Sequence, residues 1–201
     1  MTIGIIGAGN IGQAVAQRIS SAGMEASISN SRGSESLSSL ARELGPGINA
    51  VSRQDAAKAD IVFLAVPWAA HNEAVSDLPP WNGRIVIDAM NAVSHGPGGL
   101  APLDLGGRPS SEVVAEHLPG ARVVKAFNTL PAAILASHPQ EAGGQRVLFM
   151  SGVDQDAKAT VAQLIRELGF AAIDLGDFAT SRKVQQVPDG ALAAVNLVRI
   201  A

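Results

Sequence analysis

The 201-residue sequence contains no cysteine and no tyrosine, and each absence excludes a class of chemistry. Without cysteine there is no disulfide bond, no thiolate nucleophile and no metal site with cysteine ligands. Without tyrosine the chain lacks the tyrosine–lysine pair of short-chain dehydrogenases. The histidines lack the His-x-x-x-His spacing of a helical metal site, so we expect no bound metal. They are scattered at His71, His95, His117 and His138.

Charge and long apolar runs are also scarce. Apolar residues make up 47% of the chain, which is enough for a full hydrophobic core. Charged residues make up only 16%, which is too few for a disordered chain. The net charge of −3 argues against nucleic acid or an anionic membrane as a partner. The first apolar run, Ile3 to Ile6, is too short for a signal peptide, and no run approaches the roughly 18 residues of a membrane span. We therefore expect a cytoplasmic protein with no membrane partner.

Short apolar runs alternate with segments of helical spacing along the whole chain. The pattern predicts strands at 2–6, 25–29, 48–51, 61–66, 84–88, 121–125, 146–150 and 171–174. It predicts helices at 11–22, 35–44 (capped by Ser34), 54–58, 69–77, 110–118, 131–136 and 154–168. Residues 92–109, rich in glycine and proline, are predicted to form one long functional or mobile loop. This alternation is typical of an α/β, doubly wound, mostly parallel sheet.

A glycine-rich turn lies between the first predicted strand and the first predicted helix. Its sequence, Gly7-Ala8-Gly9-Asn10-Ile11-Gly12, fits G-x-G-x-x-G. In that context Gly7 allows the tight turn, Gly9 lets the backbone approach a pyrophosphate, and Gly12 lets the helix pack on the strand. The free N–H groups of the helix N-terminus favour the negative charge of the phosphates. We therefore expect one Rossmann-type dinucleotide-binding domain over residues 1–201, with a short C-terminal extension of the same sheet.

The residues after the second predicted strand indicate which dinucleotide is bound. Domains that bind NAD place a carboxylate there for the ribose hydroxyls, whereas this chain has Asn30-Ser31-Arg32 and no acid before Glu35. A hydroxyl and a guanidinium suit a 2′-phosphate, which favours NADP(H) over NAD(H). The alternative is that Arg32 is an ordinary solvated residue and that NAD binds loosely.

Several further motifs, together with this turn, resemble the deazaflavin-dependent NADP reductase family, the 8-hydroxy-5-deazaflavin:NADPH oxidoreductases. The cytoplasmic domain of the STEAP metalloreductases is related to that family. The resemblance covers nearly the whole chain. Beyond the glycine turn and Asn30-Ser31-Arg32, its motifs are Ala65-Val66-Pro67-Trp68, Asp88-Ala89-Met90-Asn91, Lys125-Ala126-Phe127-Asn128-Thr129-Leu130-Pro131-Ala132 and Ser151-Gly152-Val153-Asp154.

The resemblance implies roles for individual residues of this chain. The segment from Ala8 to Ile11 would follow the pyrophosphate, and Ser31 and Arg32 would hold the 2′-phosphate. The remaining predicted contacts are Val66 and Pro67 beside the cofactor, Asn91 near the nicotinamide, and Ala126, Asn128 and Thr129 in the wall of the nicotinamide pocket. The chain departs from some members of the family at two places. Those members have a lysine just after the Ser-Arg pair, where this chain has Ser34-Glu35-Ser36, and some have a histidine where this chain has Asn128.

Simpler roles are open for three of these residues. Trp68 would only cover the core, given its size. Asn128 would only satisfy loop backbone groups. Lys125 is interpreted as a strand-edge or loop residue and not as a catalyst.

No acid–base set stands out, since Asp88 and Asp104 are not visibly paired. Hydride transfer to a flavin-like ring needs mainly the stacking of two rings and the exclusion of water, because the cofactors carry the chemistry. The first hypothesis is therefore an NADPH-dependent oxidoreductase with a flavin or deazaflavin as acceptor and co-substrate. The alternatives are a non-catalytic NADP(H)-binding redox sensor and a small-molecule carbonyl or imine reductase that completes its pocket by dimerising.

The apolar C-terminal segment bears on the assembly. Residues 191–200 carry few charges, and exposed apolar patches usually mark interfaces. We expect a homodimer in which these segments meet, and the resemblance also implies one. The alternative is that Leu192, Val195, Leu197 and Val198 seal the last strand of their own chain.

Overall fold

In the computed structural model, residues 1–96 and 99–200 are described, and strands alternate with helices along them. The strands are β1 (Ile3–Ile6), β2 (Ala26–Ser29), β3 (Ile48–Ala50), β4 (Ile61–Leu64), β5 (Ile85–Asp88), β6 (Val93–Gly96), β7 (Gly99–Pro102), β8 (Arg122–Ala126), β9 (Gln140–Glu141), β10 (Gly144–Gly152), β11 (Ala171–Asp174) and β12 (Val198–Arg199). The helices are α1 (Asn10–Ser21), α2 (Ser38–Leu44), α3 (Arg53–Ala56), α4 (His71–Val75), α5 (Ser110–Glu116), α6 (Ala132–Ala136), α7 (Gln155–Glu167) and α8 (Phe178–Gln185). Two 3₁₀ turns, Ser34–Leu37 and Trp68–Ala70, precede α2 and α4.

The central sheet has the order β11-β10-β8-β5-β4-β1-β2-β3. Six neighbouring strands, from β8 to β3, run parallel, so their carboxyl ends lie at one edge. β10 runs antiparallel to β8 and parallel to β11. The expected α/β fold with a doubly wound, mostly parallel Rossmann-type sheet is therefore confirmed.

Strand β4 shows why apolar runs form the middle of this sheet. All four of its residues are buried. Ile61 and Phe63 pack into the core on one face, and Val62 and Leu64 pack into the core on the other. A strand covered by helices on both faces needs apolar side chains at every position, so the run is continuous and does not alternate.

Two sequence expectations were wrong, one for the long loop and one for the helix that follows β2. Residues 97 and 98 lie outside the described residues, but the rest of 92–109 does not form one structureless loop, because β6 and β7 pair as an antiparallel hairpin with Val93 opposite Pro102. The described side chains of β7 are exposed, so no buried face marked this hairpin in the sequence. Nor does Ser34 cap a long helix: it opens a 3₁₀ turn after Gly33, and α2 begins only at Ser38.

Helix α8 was missed by the sequence analysis. Its N-cap is Asp177, whose side chain accepts a hydrogen bond from the backbone N–H of Thr180. This cap is a recognisable helix start, but Ser181 and Gln185 are among the residues that the helix buries. Polar residues on the buried face hide the apolar spacing by which a helix is recognised.

The C-terminal segment lies partly against its own chain. β12 pairs antiparallel with β10, with Val198 opposite Arg146. Leu192 packs against a small core cluster that includes Val147 and Phe149. Leu197 and Ile200 are 41% and 72% exposed, so the described residues leave part of the apolar segment uncovered. Within the described residues, no helix combines the length and apolarity that a membrane span requires.

Candidate functional site

A cleft of about 320 Å³ lies at the carboxyl ends of β1, β2 and β4. Ligands of open α/β sheets bind at this edge, where loops from neighbouring strands converge. The cleft is lined by Ile6, Gly7, Ala8, Gly9, Asn30, Ser31, Arg32, Arg53, Ala65, Val66, Pro67, Ala70, Glu73 and Ala74. Most of the residues expected at the pyrophosphate and the 2′-phosphate are thus brought together, whereas Asn10, Ile11 and Gly12 do not line the cleft.

The three glycines of the turn have three different environments. A Cβ on Gly7 would overlap the carbonyl oxygen of Ala65, and the φ of Gly7 is +114°. A Cβ on Gly12 would overlap the carbonyl oxygen of Gly7, so this glycine permits the close approach of α1 to β1. A Cβ on Gly9 would meet nothing within 4 Å. Gly9 is therefore not needed for packing, and its free space faces the cleft that it lines.

Asn30 shapes the loop that presents Ser31 and Arg32. Its Oδ1 accepts a hydrogen bond of 2.9 Å from the backbone N–H of Arg32, and its Nδ2 donates one of 2.9 Å to Ser36 Oγ. Such a turn leaves the two following side chains exposed at the cleft. Within residues 1–96 and 99–200, the Arg32 guanidinium has neither an ion pair nor a hydrogen bond.

Arg53 also lines this cleft, although the sequence analysis did not single it out. It begins α3 directly after β3, and its Nη1 donates a hydrogen bond of 2.6 Å to the backbone oxygen of Glu73. The sequence did carry a signal for it, namely a basic residue just beyond the carboxyl end of a strand. The Glu73 side chain lines the same cleft, so the site holds two guanidinium groups and one carboxylate.

Val66 and Pro67 form the wall of the cleft after β4. Trp68 does not line this cleft. Its ring lies 4.5 Å from that of His71 and packs against the core, which agrees with the alternative that it only covers apolar residues. His71 in turn contacts Trp68 O through Nδ1 at 2.5 Å and His117 Nδ1 through Nε2 at 3.2 Å.

Asn91 and Asn128 are hydrogen-bonded to each other at the ends of β5 and β8. Asn91 Nδ2 donates to Asn128 O, and Asn128 Nδ2 donates to Asn91 Oδ1, both at 3.0 Å. Asn128 Nδ2 also donates to Gln185 O at 2.9 Å. Asn128 thus bonds the backbone carbonyl of the last residue of α8 and also fixes Asn91, so the alternative that it only satisfies loop backbone is incomplete. Ala126, Asn128 and Thr129 are buried and line no part of the cleft, so their nicotinamide contact stays a prediction.

Phe127 has an unusual backbone conformation. Its φ is +63°, a left-handed value that bulky side chains seldom adopt. The ring is buried and meets that of Phe63 edge to face at 5.1 Å between centroids. Backbone strain of this kind persists only where the surroundings hold it, often beside functional sites. Here it lies between Ala126 and Asn128, in the run that the sequence analysis assigned to the nicotinamide pocket.

Asp88 and Lys125 form a buried ion pair, which corrects two sequence interpretations. The sequence indicates no partner for Asp88 and a strand-edge or loop position for Lys125, yet Lys125 lies in an inner strand with Nζ 3.1 Å from Asp88 Oδ2. The two residues are direct neighbours in the register of β5 and β8. Ser111 Oγ donates to the same carboxylate oxygen at 2.6 Å, and Lys125 Nζ donates to Met90 O at 2.9 Å. The pair therefore fixes the backbone immediately before Asn91.

The chain is similar to one protein family and to several solved structures. Residues 2–92 match the family described as NADP oxidoreductase coenzyme F420-dependent. The crystal structure of a hypothetical protein from Sinorhizobium meliloti is 50% identical, with a TM-score of 0.93 over 99% of this chain and 96% of that one. A proposed F420-dependent NADP reductase from an Arthrobacter species is 29% identical, with a TM-score of 0.74 over 90% of this chain and 87% of that one.

The chain is also similar to curated proteins. Metalloreductase STEAP3 of Rattus norvegicus is 28% identical over 189 residues. The match takes in 92% of this chain but only 36% of the length of that protein. The chain therefore spans little more than a third of the curated relatives that it matches.

The environments of Gly9 and Gly12 predict opposite effects of substitution. Gly9→Val should leave the urea unfolding curve unchanged, because the added side chain enters open space and the φ of −79° suits any residue. It should abolish binding of NADPH, measured by the fluorescence of the nucleotide, because the side chain would enter the space that we expect the pyrophosphate to fill. Gly12→Ala, the matched control, should lower the free energy of unfolding by about 1–3 kcal/mol or more through overpacking. Normal NADPH binding by a folded Gly9→Val variant would show that the turn does not hold the dinucleotide.

Proposed function

We propose that this chain, whose residues 2–92 match the family described as NADP oxidoreductase coenzyme F420-dependent, transfers a hydride from NADPH to a flavin-like or deazaflavin acceptor. The observation that carries the proposal is the cleft at the glycine turn. There the backbone is open at Gly9, α1 directs its N-terminus to the same place, and two arginines lie at the far end. These are the features that a phosphorylated dinucleotide requires.

The arginines support NADP(H) over NAD(H). Arg32 has five N–H donors and no protein partner among the described residues, so its guanidinium is available to a 2′-phosphate. Arg53 adds a second cation, while Glu73 lies in the same cleft as an opposing carboxylate. Two cations against one anion leave a net positive charge, which suits a phosphate better than a free hydroxyl.

Hydride transfer to a planar ring suits the other end of the site. NADPH would give a hydride from the nicotinamide C4 and become NADP⁺, and the acceptor ring would gain the hydride and, from solvent, a proton. The chain has to orient the rings and exclude water. Asn91, held by Asn128 and by the Asp88–Lys125 pair, is the residue that we propose for the nicotinamide. A rigid support of this kind would hold the nicotinamide C4 at a fixed position relative to the acceptor ring.

Substitution of Arg32 tests the preference for the phosphorylated cofactor. Loss of a charge-assisted hydrogen bond costs about 1.5–3 kcal/mol, so Arg32→Ala should weaken NADPH binding by about 10-fold to 150-fold. NADH binding should hardly change. Arg42→Ala is the matched control, since Arg42 is exposed on α2 and does not line the cleft. Equal affinity of the wild type for both cofactors would contradict the assignment. A preference that survives in Arg32→Ala and disappears in Arg53→Ala would move the role to Arg53.

A panel of acceptors tests the reaction itself. We expect NADPH oxidation, measured by the loss of NADPH absorbance, with 8-hydroxy-5-deazariboflavin or a flavin as acceptor, and no oxidation with the protein alone. Turnover with carbonyl or imine substrates and no flavin would favour the small-molecule reductase. Tight NADPH binding without turnover on deazaflavins, flavins or quinones would favour the redox sensor.

We also propose a homodimer, supported by the exposed side chains of Leu197 and Ile200 beside the sheet. Sedimentation at micromolar concentration should show a dimer, and the double variant Leu197→Asp/Ile200→Asp should sediment as a monomer that still binds NADPH. A wild-type monomer would refute the proposal. Because β12 and Leu192 pack on their own chain, deletion of residues 190–201 would also disturb the sheet, and point substitutions are the cleaner test.

A further inference from the structure

A second, smaller cavity lies beside Asn91, on the far side from the glycine turn. Its volume is about 50 Å³, and it is lined in part by Asn91, Asp104, Arg108, Lys125, Arg182 and Gln186. We call it the Lys125 pocket. It shares Asn91 with the proposed nicotinamide end of the site and shares no residue with the cleft. A space of this size admits one edge of a ring or a single small group.

The ammonium group of Lys125 lies at this pocket with one of its three N–H donors free of a partner among the described residues. The residue is only 6% exposed. Two of its three N–H donors are used, one by Asp88 Oδ2 at 3.1 Å and one by Met90 O at 2.9 Å. Within residues 1–96 and 99–200 the third donor has no protein partner. A buried donor without a partner is costly, so it favours a ligand or water that supplies an acceptor.

Two charged side chains at the pocket, Asp104 and Arg182, have no ion-pair partner among the described residues. Asp88 balances Lys125, and the hydrogen bond from Arg108 to Glu116 raises the pKa of Arg108. Asp104 also faces the pocket, with Oδ1 accepting from the backbone N–H of Gly106 at 2.9 Å. Arg182 is exposed on α8 and forms no ion pair or side-chain hydrogen bond within the described residues. Its Nη1 lies 4.0 Å from the Cβ position of Gly107, so the guanidinium reaches over the segment that covers the pocket.

We propose that the Lys125 pocket binds an oxygen atom of the hydride acceptor, on which negative charge appears during the reaction. The inference rests on the proposed function. When the hydride reaches the central ring of a flavin or deazaflavin, its electron pair is delocalised onto the N1–C2=O edge of the ring. Fixed donors at that oxygen stabilise the charge as it develops. The spare N–H of Lys125 and the guanidinium of Arg182 are such donors, and solvent later supplies the proton.

Arg182 is the residue to change, because Lys125→Met would leave Asp88 buried without its partner and would destabilise the fold. Arg182→Gln removes an exposed charge, and Arg182→Lys restores it. Arg166→Gln is the matched control, since Arg166 is also exposed and lies in α7, on the other face of the sheet from this pocket. Each protein is assayed for NADPH oxidation with 8-hydroxy-5-deazariboflavin, riboflavin and FMN. The dissociation constants of NADPH, and of the oxidised and reduced deazariboflavin in the presence of NADP⁺, are measured separately.

We expect Arg182→Gln to lower kcat/KM for the acceptor by about 10-fold or more, as removal of a charge-stabilising donor does. It should weaken binding of the reduced ring more than of the oxidised ring, and NADPH affinity should stay within about twofold. Arg182→Lys should recover most of the loss, and Arg166→Gln should behave as wild type. An equal effect with riboflavin and FMN assigns the contact to a ring oxygen, whereas an effect confined to FMN assigns it to the phosphate.

The outcomes separate this inference from the proposed function. A wild type that reduces none of the three acceptors overturns the proposed function and the pocket assignment with it. A wild type that reduces them, together with an Arg182→Gln variant of unchanged kcat/KM and unchanged affinity for the reduced ring, overturns the pocket assignment alone.

Discussion

The close approach of α1 to β1 is the contact on which the candidate site depends. The carbonyl oxygen of Gly7 occupies the space that a Cβ on residue 12 would need, so only glycine at that position lets the first turn of the helix reach the strand. This contact directs the N-terminus of a 12-residue helix along the edge where β1, β2 and β4 end. The open backbone at Gly9 then faces the cleft, and Arg32 and Arg53 reach it from the ends of the next two strands.

The other end of the site depends on a different kind of interaction. Asp88 and Lys125 are opposite each other in adjacent strands, and their buried ion pair holds the backbone of Met90 through Lys125 Nζ. Asn91 follows directly and is held again by Asn128, which is itself bonded to Gln185 of α8. A buried ion pair is weak support for stability by itself, because desolvation offsets the attraction. Its value here lies in fixing where Asn91 lies.

The sequence predicted the parts of this molecule that depend on local pattern. The glycine turn, the loop at Asn30 and the continuous apolar run of β4 are each specified by consecutive residues, and the structure has them where they were expected. The exposed hairpin and α8 were not predicted, since neither shows the apolar spacing by which such elements are recognised. The Asp88–Lys125 pair and the position of Arg53 were also missed. Asp88 and Lys125 are distant in sequence, and only the strand register brings them together. Arg53 did carry a signal, as a basic residue just beyond β3, but its contact with Glu73 depends on the fold.

The central claim is that a hydride passes from NADPH to a planar ring bound beside Asn91. It is tested most directly by a single turnover with NADPH that carries deuterium at C4 of the nicotinamide, on one face at a time, and 8-hydroxy-5-deazariboflavin as acceptor. Carbon 5 of a deazaflavin keeps the transferred hydrogen, whereas N5 of a flavin exchanges it with water. The account predicts that deuterium from one face of C4 appears at C5 of the reduced ring. Oxidation of NADPH without deuterium at C5, or no oxidation by a protein that binds NADPH, would contradict it.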